Sequence, residues 1–123
     1  MKHVLLVVTI LAGLPACLPT FYLPETPPQM TTLYLSEVPE AAYLRARRAV
    51  AAMGGRLLNA DAPTRMAFAH VPGAVVLYIA VLPDRNGAEI LVIGHARSDR
   101  PVEDASRALR EYAAVLHQEA AHE

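Results

Sequence analysis

Cysteine is nearly absent from this sequence. Cys17 stands alone, which excludes an internal disulfide, a CxxC redox pair and a cysteine-rich zinc site. Lysine is just as scarce: Lys2 is the only one beside ten arginines, so residues 17–123 hold no amine side chain for Schiff-base chemistry. The formal net charge is −1, and −2 once Lys2 is discounted, which leaves no basic surplus to neutralise phosphates. Nucleic acid is therefore excluded as an expected partner. Serine occurs only as Ser36, Ser98 and Ser106, none of them within G-x-S-x-G, and neither a P-loop nor G-x-G-x-x-G is present. The common nucleophilic, nucleotide-binding and cysteine-based functions lack their residues here.

What is present begins with a leader. Met1-Lys2-His3 is a short basic start, and Val4 to Gly13 follows as an apolar run of ten residues. A run of that length is too short to cross a hydrocarbon core of about 30 Å, but it suits the central region of a signal peptide. Side-chain size then argues against an ordinary signal peptidase. That enzyme prefers small residues at the third and first positions before the cut, whereas Leu14 stands third before a cut after Ala16. Leu14, Ala16 and Cys17 together resemble the lipobox of bacterial lipoproteins, with Pro15 departing from the usual small residue at its position. The resemblance implies removal of residues 1–16 and lipidation at Cys17. Acyl chains there, at about 0.8 kcal/mol per buried methylene, would hold the chain on a membrane surface. In a Gram-negative cell, Leu18 rather than Asp after the cysteine resembles cargo released to the outer membrane, facing the periplasm. Membrane lipid, through Cys17, is the expected partner.

Residues 17–30 are expected to form the lipidated cysteine and a linker, because Pro19, Pro24, Pro27 and Pro28 fix φ and remove donors. Phe21, Tyr22 and Leu23 are unusual for a linker; contact with the membrane interface and folding back on the domain are both open. Residues 31–117 read as one small α+β domain. Thr31 to Leu35 suits a short strand. A helix follows, with Pro39 in its first turn, Ser36 or Glu37 near its cap and Gly54-Gly55 at its end. Its apolar stripe is Ala42 or Tyr43, Ala46, Ala49 or Val50, and Met53, with Arg45 and Arg48 largely off it.

From Arg56 the period drops to two. Strands are expected over 56–61, 65–70, 74–82 and 89–96, joined by turns at Ala62-Pro63-Thr64, Pro72-Gly73 and Pro83 to Gly87. Short turns make an antiparallel meander the economical topology. Asp99 or Ser98 should cap a last helix with Pro101 in its first turn and Val102, Ala105, Leu109, Tyr112 or Ala113, and Leu116 on its apolar face. Residues 118–123 are expected to be a disordered tail. The fold class is α+β: a two-layer sandwich, with an antiparallel sheet of four to five strands and two helices on one face.

A helix ending in Gly-Gly, then Arg56 to Arg65, an apolar strand, the Asp84-Arg85-Asn86-Gly87 turn and an amphipathic last helix resemble short bacterial envelope lipoproteins of unknown function. The similarity spans about residues 30–117 and is one of pattern. It implies no catalytic residues to transfer.

Three constellations remain. His70, His95 and Asp61 would make a zinc site if their strands were neighbours, but they lack local ligand spacing and read more simply as surface residues. No metal or cofactor is expected. Arg45, Arg47, Arg48, Arg107 and Arg110 lie on the two helices and could meet anionic headgroups, or form a solvated face balanced by Glu40, Glu103 and Glu111. Strand 74–82 is apolar on both sides, with Val75, Leu77, Ile79 and Val81 against Val76, Tyr78, Ala80 and Leu82. Two helices can cover only one side, so Val76, Tyr78 and Leu91 or Ile93 should form a patch on the other. The expectation is a non-enzymatic, membrane-anchored interaction or structural module of the cell envelope, with an envelope protein as candidate partner. The alternative is a lipid-anchored binder of a small ligand or metal ion.

Overall fold

The computed structural model describes residues 27–121. The expected signal peptide (1–16), Cys17 and residues 18–26 of the expected linker lie outside the described residues, as do 122 and 123.

Strand β1 covers Gln29–Leu35 and pairs antiparallel with the last strand, from Gln29 opposite Gly94 to Leu35 opposite Ala88. It starts two residues earlier than expected, taking Gln29 and Met30 from the linker. Pro27 and Pro28 cannot donate to a ladder, so pairing begins directly after them. Helix α1, Pro39–Ala52, starts on Val38 in an extended conformation and has no side-chain cap. The cap expected from Ser36 or Glu37 is not made; Glu37 serves another role, below. Gly54, at φ 82, turns the chain out of the helix, and its N–H reaches Ala51 O at 3.0 Å.

Strands β2 (Arg56–Asp61), β3 (Met66–Val71), β4 (Val75–Asp84) and β5 (Gly87–Ala96) form the expected meander. The sheet order is β1-β5-β4-β3-β2, antiparallel throughout. Strand β3 starts at Met66 rather than Arg65 because Arg65 takes φ 55 to close the hairpin, its N–H on Ala62 O at 3.1 Å. Strands β4 and β5 run to a two-residue turn, Arg85-Asn86, with Asp84 opposite Gly87. Gly87 has φ 148, and a Cβ there would stand 2.2 Å from the Leu35 carbonyl oxygen, where β1 ends beside the hairpin.

Helix α2 spans Pro101–Ala121. At its start Ser98 Oγ accepts from the Arg100 N–H at 3.3 Å and donates to the Asp104 carboxylate. The helix continues four residues past the expected end at 117, so residues 118–121 are not a disordered tail. No helix among the described residues is long and apolar enough to cross a membrane.

Both helices lie on one face of the five-stranded sheet, giving a two-layer α+β sandwich. From the sheet Leu33, Leu35, Ala69, Val71, Val75, Leu77, Ile79, Val81, Ile90 and Val92 are buried against them. Full burial of side chains such as Leu77, Ile79 and Ile90 stabilises by roughly 1.5–3 kcal/mol each. Helix α1 contributes Ala42, Tyr43, Ala46, Ala49 and Val50, and α2 contributes Ala105, Ala108, Leu109, Tyr112 and Leu116. The alanines let the helix backbones come close, and Tyr112 Oη donates to Ala46 O at 2.8 Å. Its burial pushes the phenol pKa well up. Val102, expected on this face, is 41% exposed; the buried stripe starts one turn later, at Ala105.

Arg45 is the main correction to the sequence reading. It is 5% exposed and inside the fold, not off the stripe. Its guanidinium makes a bidentate ion pair with Glu37, with Nε 3.0 Å from both carboxylate oxygens, and Nη1 donates to Glu119 O at 2.9 Å. One buried cation thus holds the segment before α1 and the last turns of α2 together, which accounts for the order of residues 118–121. Hydrogen bonding from Arg45 lowers the Glu37 pKa, against a smaller upward push from burial.

Candidate functional site

With both helices on one face, the other face of the sheet has no covering element among the described residues. Strand alternation decides what it presents. The pairing register lines its side chains into rows that cross the sheet. One row runs Asn59, Phe68, Tyr78, Ile93, Met30; the next runs Asp61, Met66, Ala80, Leu91, Thr32. These two central rows are almost wholly apolar across β3, β4, β5 and β1. Outside them, Arg56, His70, Val76 and His95 line one end of the face, and Leu82, Glu89 and Tyr34 the other.

The central rows are accessible. Tyr78 is 50% exposed and Met66 53% exposed, while the helix-facing neighbours Leu77 and Ile79 are buried. Phe68 and Tyr78 are cross-strand neighbours with ring centroids 4.7 Å apart and planes tilted by 31°. They line an open basin of about 350 Å³ together with Asn59, Asp61, Met66, Ala80, Leu91 and Ile93. At β2 the ladder shifts register between Leu57 and Asn59, leaving Leu58 as a bulge. The bulge keeps Leu57 on the helix side while Asn59 and Asp61 reach the basin.

The expected patch of Val76, Tyr78 and Leu91 or Ile93 is present, and both Leu91 and Ile93 share the face with Val76 and Tyr78. Sequence reasoning missed its other half, Met66 and Phe68. Their signal was the alternation Met66-Ala67-Phe68-Ala69-His70, in which the large side chains point one way and the alanines the other. Leu33 and Leu35, by contrast, are buried on the helix side, so only Met30, Thr32 and Tyr34 of β1 reach the free face.

The three candidate metal ligands separate. His70 and His95 flank Val76 from either side on the free face, two strand spacings apart, or about 9.6 Å. Asp61 pairs with Met66, four residues along β3 from His70 and one strand over, and so about 14 Å away. Among the described residues no three His, Cys, Asp or Glu side chains group as a metal site.

The five helix arginines do not act as one patch. Arg45 is internal, Arg47 stacks 5.6 Å from the Tyr43 ring centroid, and Arg107 pairs with Asp104 at 2.7 Å. Arg48 and Arg110 are exposed. Hydrogen bonds from Ser98 and then Arg107 lower the Asp104 pKa, so this carboxylate is bound to the start of its own helix. Ser106 lies 3.5 Å from Gln29 Oε1, a contact between α2 and β1. Cys17 lies outside the described residues.

No protein-family model matches this chain, and neither a curated protein nor a solved structure does.

Proposed function

We propose that this chain is a lipid-anchored module of the bacterial cell envelope, held to the membrane through Cys17, which works by protein contact at the free face of its sheet. The observation that carries the reading is the pair of apolar rows on a face with no covering element among the described residues. A one-sided sheet whose outer face meets only water alternates apolar with polar residues. Here Met66, Phe68, Tyr78, Leu91 and Ile93 stand where polar residues would otherwise be expected. Contiguous apolar surface of this kind usually marks a contact site. The lipobox-like sequence before Cys17 supports the anchor, and the Leu after it supports an outer-membrane destination.

The other occupant for the face would be the chain's own N-terminal segment, with Phe21, Tyr22 and Leu23. Deleting residues 18–26 separates the two, leaving β1 whole. A contact surface predicts that the truncated and intact chains melt at the same temperature and bind an apolar fluorescent dye equally. A truncated chain that melts several degrees lower and gains dye binding would contradict the reading.

A further inference from the structure

The free face is complementary to itself. A two-fold axis lying on the face, across the strands and midway between the two apolar rows, turns the face onto a second copy of itself. It places each residue of one row against the other row. On β4, Tyr78 meets Ala80 of the second copy, a large side chain against a small one, and Leu82 meets Val76. On β5, Ile93 meets Leu91 and Glu89 meets His95, a carboxylate against an imidazole. On β3, Phe68 meets Met66. The face is also polar end to end, with Arg56, His70 and His95 at one end and Glu89 at the other, so the same operation puts opposite ends together.

Resting on the reading of this face as a contact surface, we propose that its occupant is a second copy of this chain, packed sheet against sheet. Two twisted sheets facing each other in this way form a sandwich with a core about 10 Å thick and strands inclined by about 30°. The inclination leaves the central strand β4 and its neighbours β5 and β3 in register and lets the edge strands β1 and β2 diverge. About six residues along each strand give a footprint between about 300 Å² per copy for the three central strands and about 500 Å² for all five, about 600–1,000 Å² in all, at or below the lower limit for a specific interface. The dimer is therefore weak for free chains. Confinement of two copies to one membrane raises their effective concentration and favours it.

The test uses two differently tagged copies of the full chain, co-expressed and recovered from membranes through one tag. Co-recovery of the second tag is expected. Ala80→Arg, which puts a charge at a partly buried position in the centre of the face, should cut it at least tenfold while the variant still unfolds cooperatively. Glu89→His and His95→Glu should each reduce it about three- to tenfold, since two symmetry-related pairs are lost. Together, Glu89→His with His95→Glu exchange the partners and should restore it. Absence of co-recovery in the wild type overturns the inference; crosslinking of Tyr78 to a different protein in the same membranes would then leave the contact-surface reading standing. Co-recovery that ignores Ala80→Arg places self-association elsewhere and overturns the inference.

Discussion

Arg45 and Glu119 are 74 positions apart, yet the Arg45 guanidinium donates to the Glu119 carbonyl at 2.9 Å while also gripping the Glu37 carboxylate. A helix terminus leaves carbonyls without partners, and a cation supplied by another element satisfies one of them. The C-terminal turns of α2 thus depend on a residue of α1.

Replacing Arg45 by Ala should destabilise the domain by about 1–3 kcal/mol, below the range for a wholly buried pair because Glu37 retains some solvent contact. Hydrogen exchange in residues 117–121 should rise more than in the sheet. Uniform loss of protection, or none in α2, would show that Arg45 does not hold this end.

The same pair gives an acid limb. The Glu37 pKa is lowered in the folded state, chiefly by hydrogen bonding from Arg45, so its stabilisation is present above its ordinary value of 4.5. It is lost as pH falls through the lower folded value. Glu37→Gln should therefore reduce stability at neutral pH and flatten the decline below about pH 4.5 in denaturant titrations. An unchanged slope would contradict the assignment. Asp104, lowered by Ser98 and Arg107, contributes a second acid-sensitive group that Glu37→Gln leaves in place.

Leu109→Ala should cost about 2–4 kcal/mol. Leu109 is buried, and its side chain rests over Gly94 of β5, where a Cβ would come within 3.4 Å of it. Val102→Ala should change stability by less than about 0.5 kcal/mol, since Val102 is 41% exposed. Chemical denaturation of both variants checks the orientation of α2, and equal effects would refute it.

The element order, the meander and the two-sided apolarity of β4 were legible in the sequence because periods of two and of about 3.6 separate cleanly here. The role of Arg45 was not. Its place on the helix wheel borders the stripe, and only its long-range pairing with Glu37 and Glu119 shows that it belongs inside. Val102 misled for the opposite reason: it continues the α2 periodicity, but the helix has not yet reached the sheet at that turn. On the free face, Tyr78, Val76, Leu91 and Ile93 could be read from local alternation. Their alignment with Met66 and Phe68 needed the register of two strand pairs, β3 with β4 and β4 with β5, which no local pattern contains.

The proposed anchor makes its own prediction. Intact-mass analysis of protein extracted from membranes should show a chain beginning at residue 17 and carrying acyl mass on Cys17, and Cys17→Ser should abolish that mass. A free Cys17 thiol, or a retained leader, would rule the anchor out.

The central claim is that the uncovered sheet face is the working surface, and site-specific photo-crosslinking in intact cells tests it most directly. A photoreactive residue at Tyr78 or at the partly buried Ile93, on the free face, is compared with one at Leu44, which matches Tyr78 at 50% exposure but lies on α1. Discrete crosslinked species are expected from positions 78 and 93 and none from 44. Crosslinks from 44 alone, or equal products from all three positions, would contradict the account.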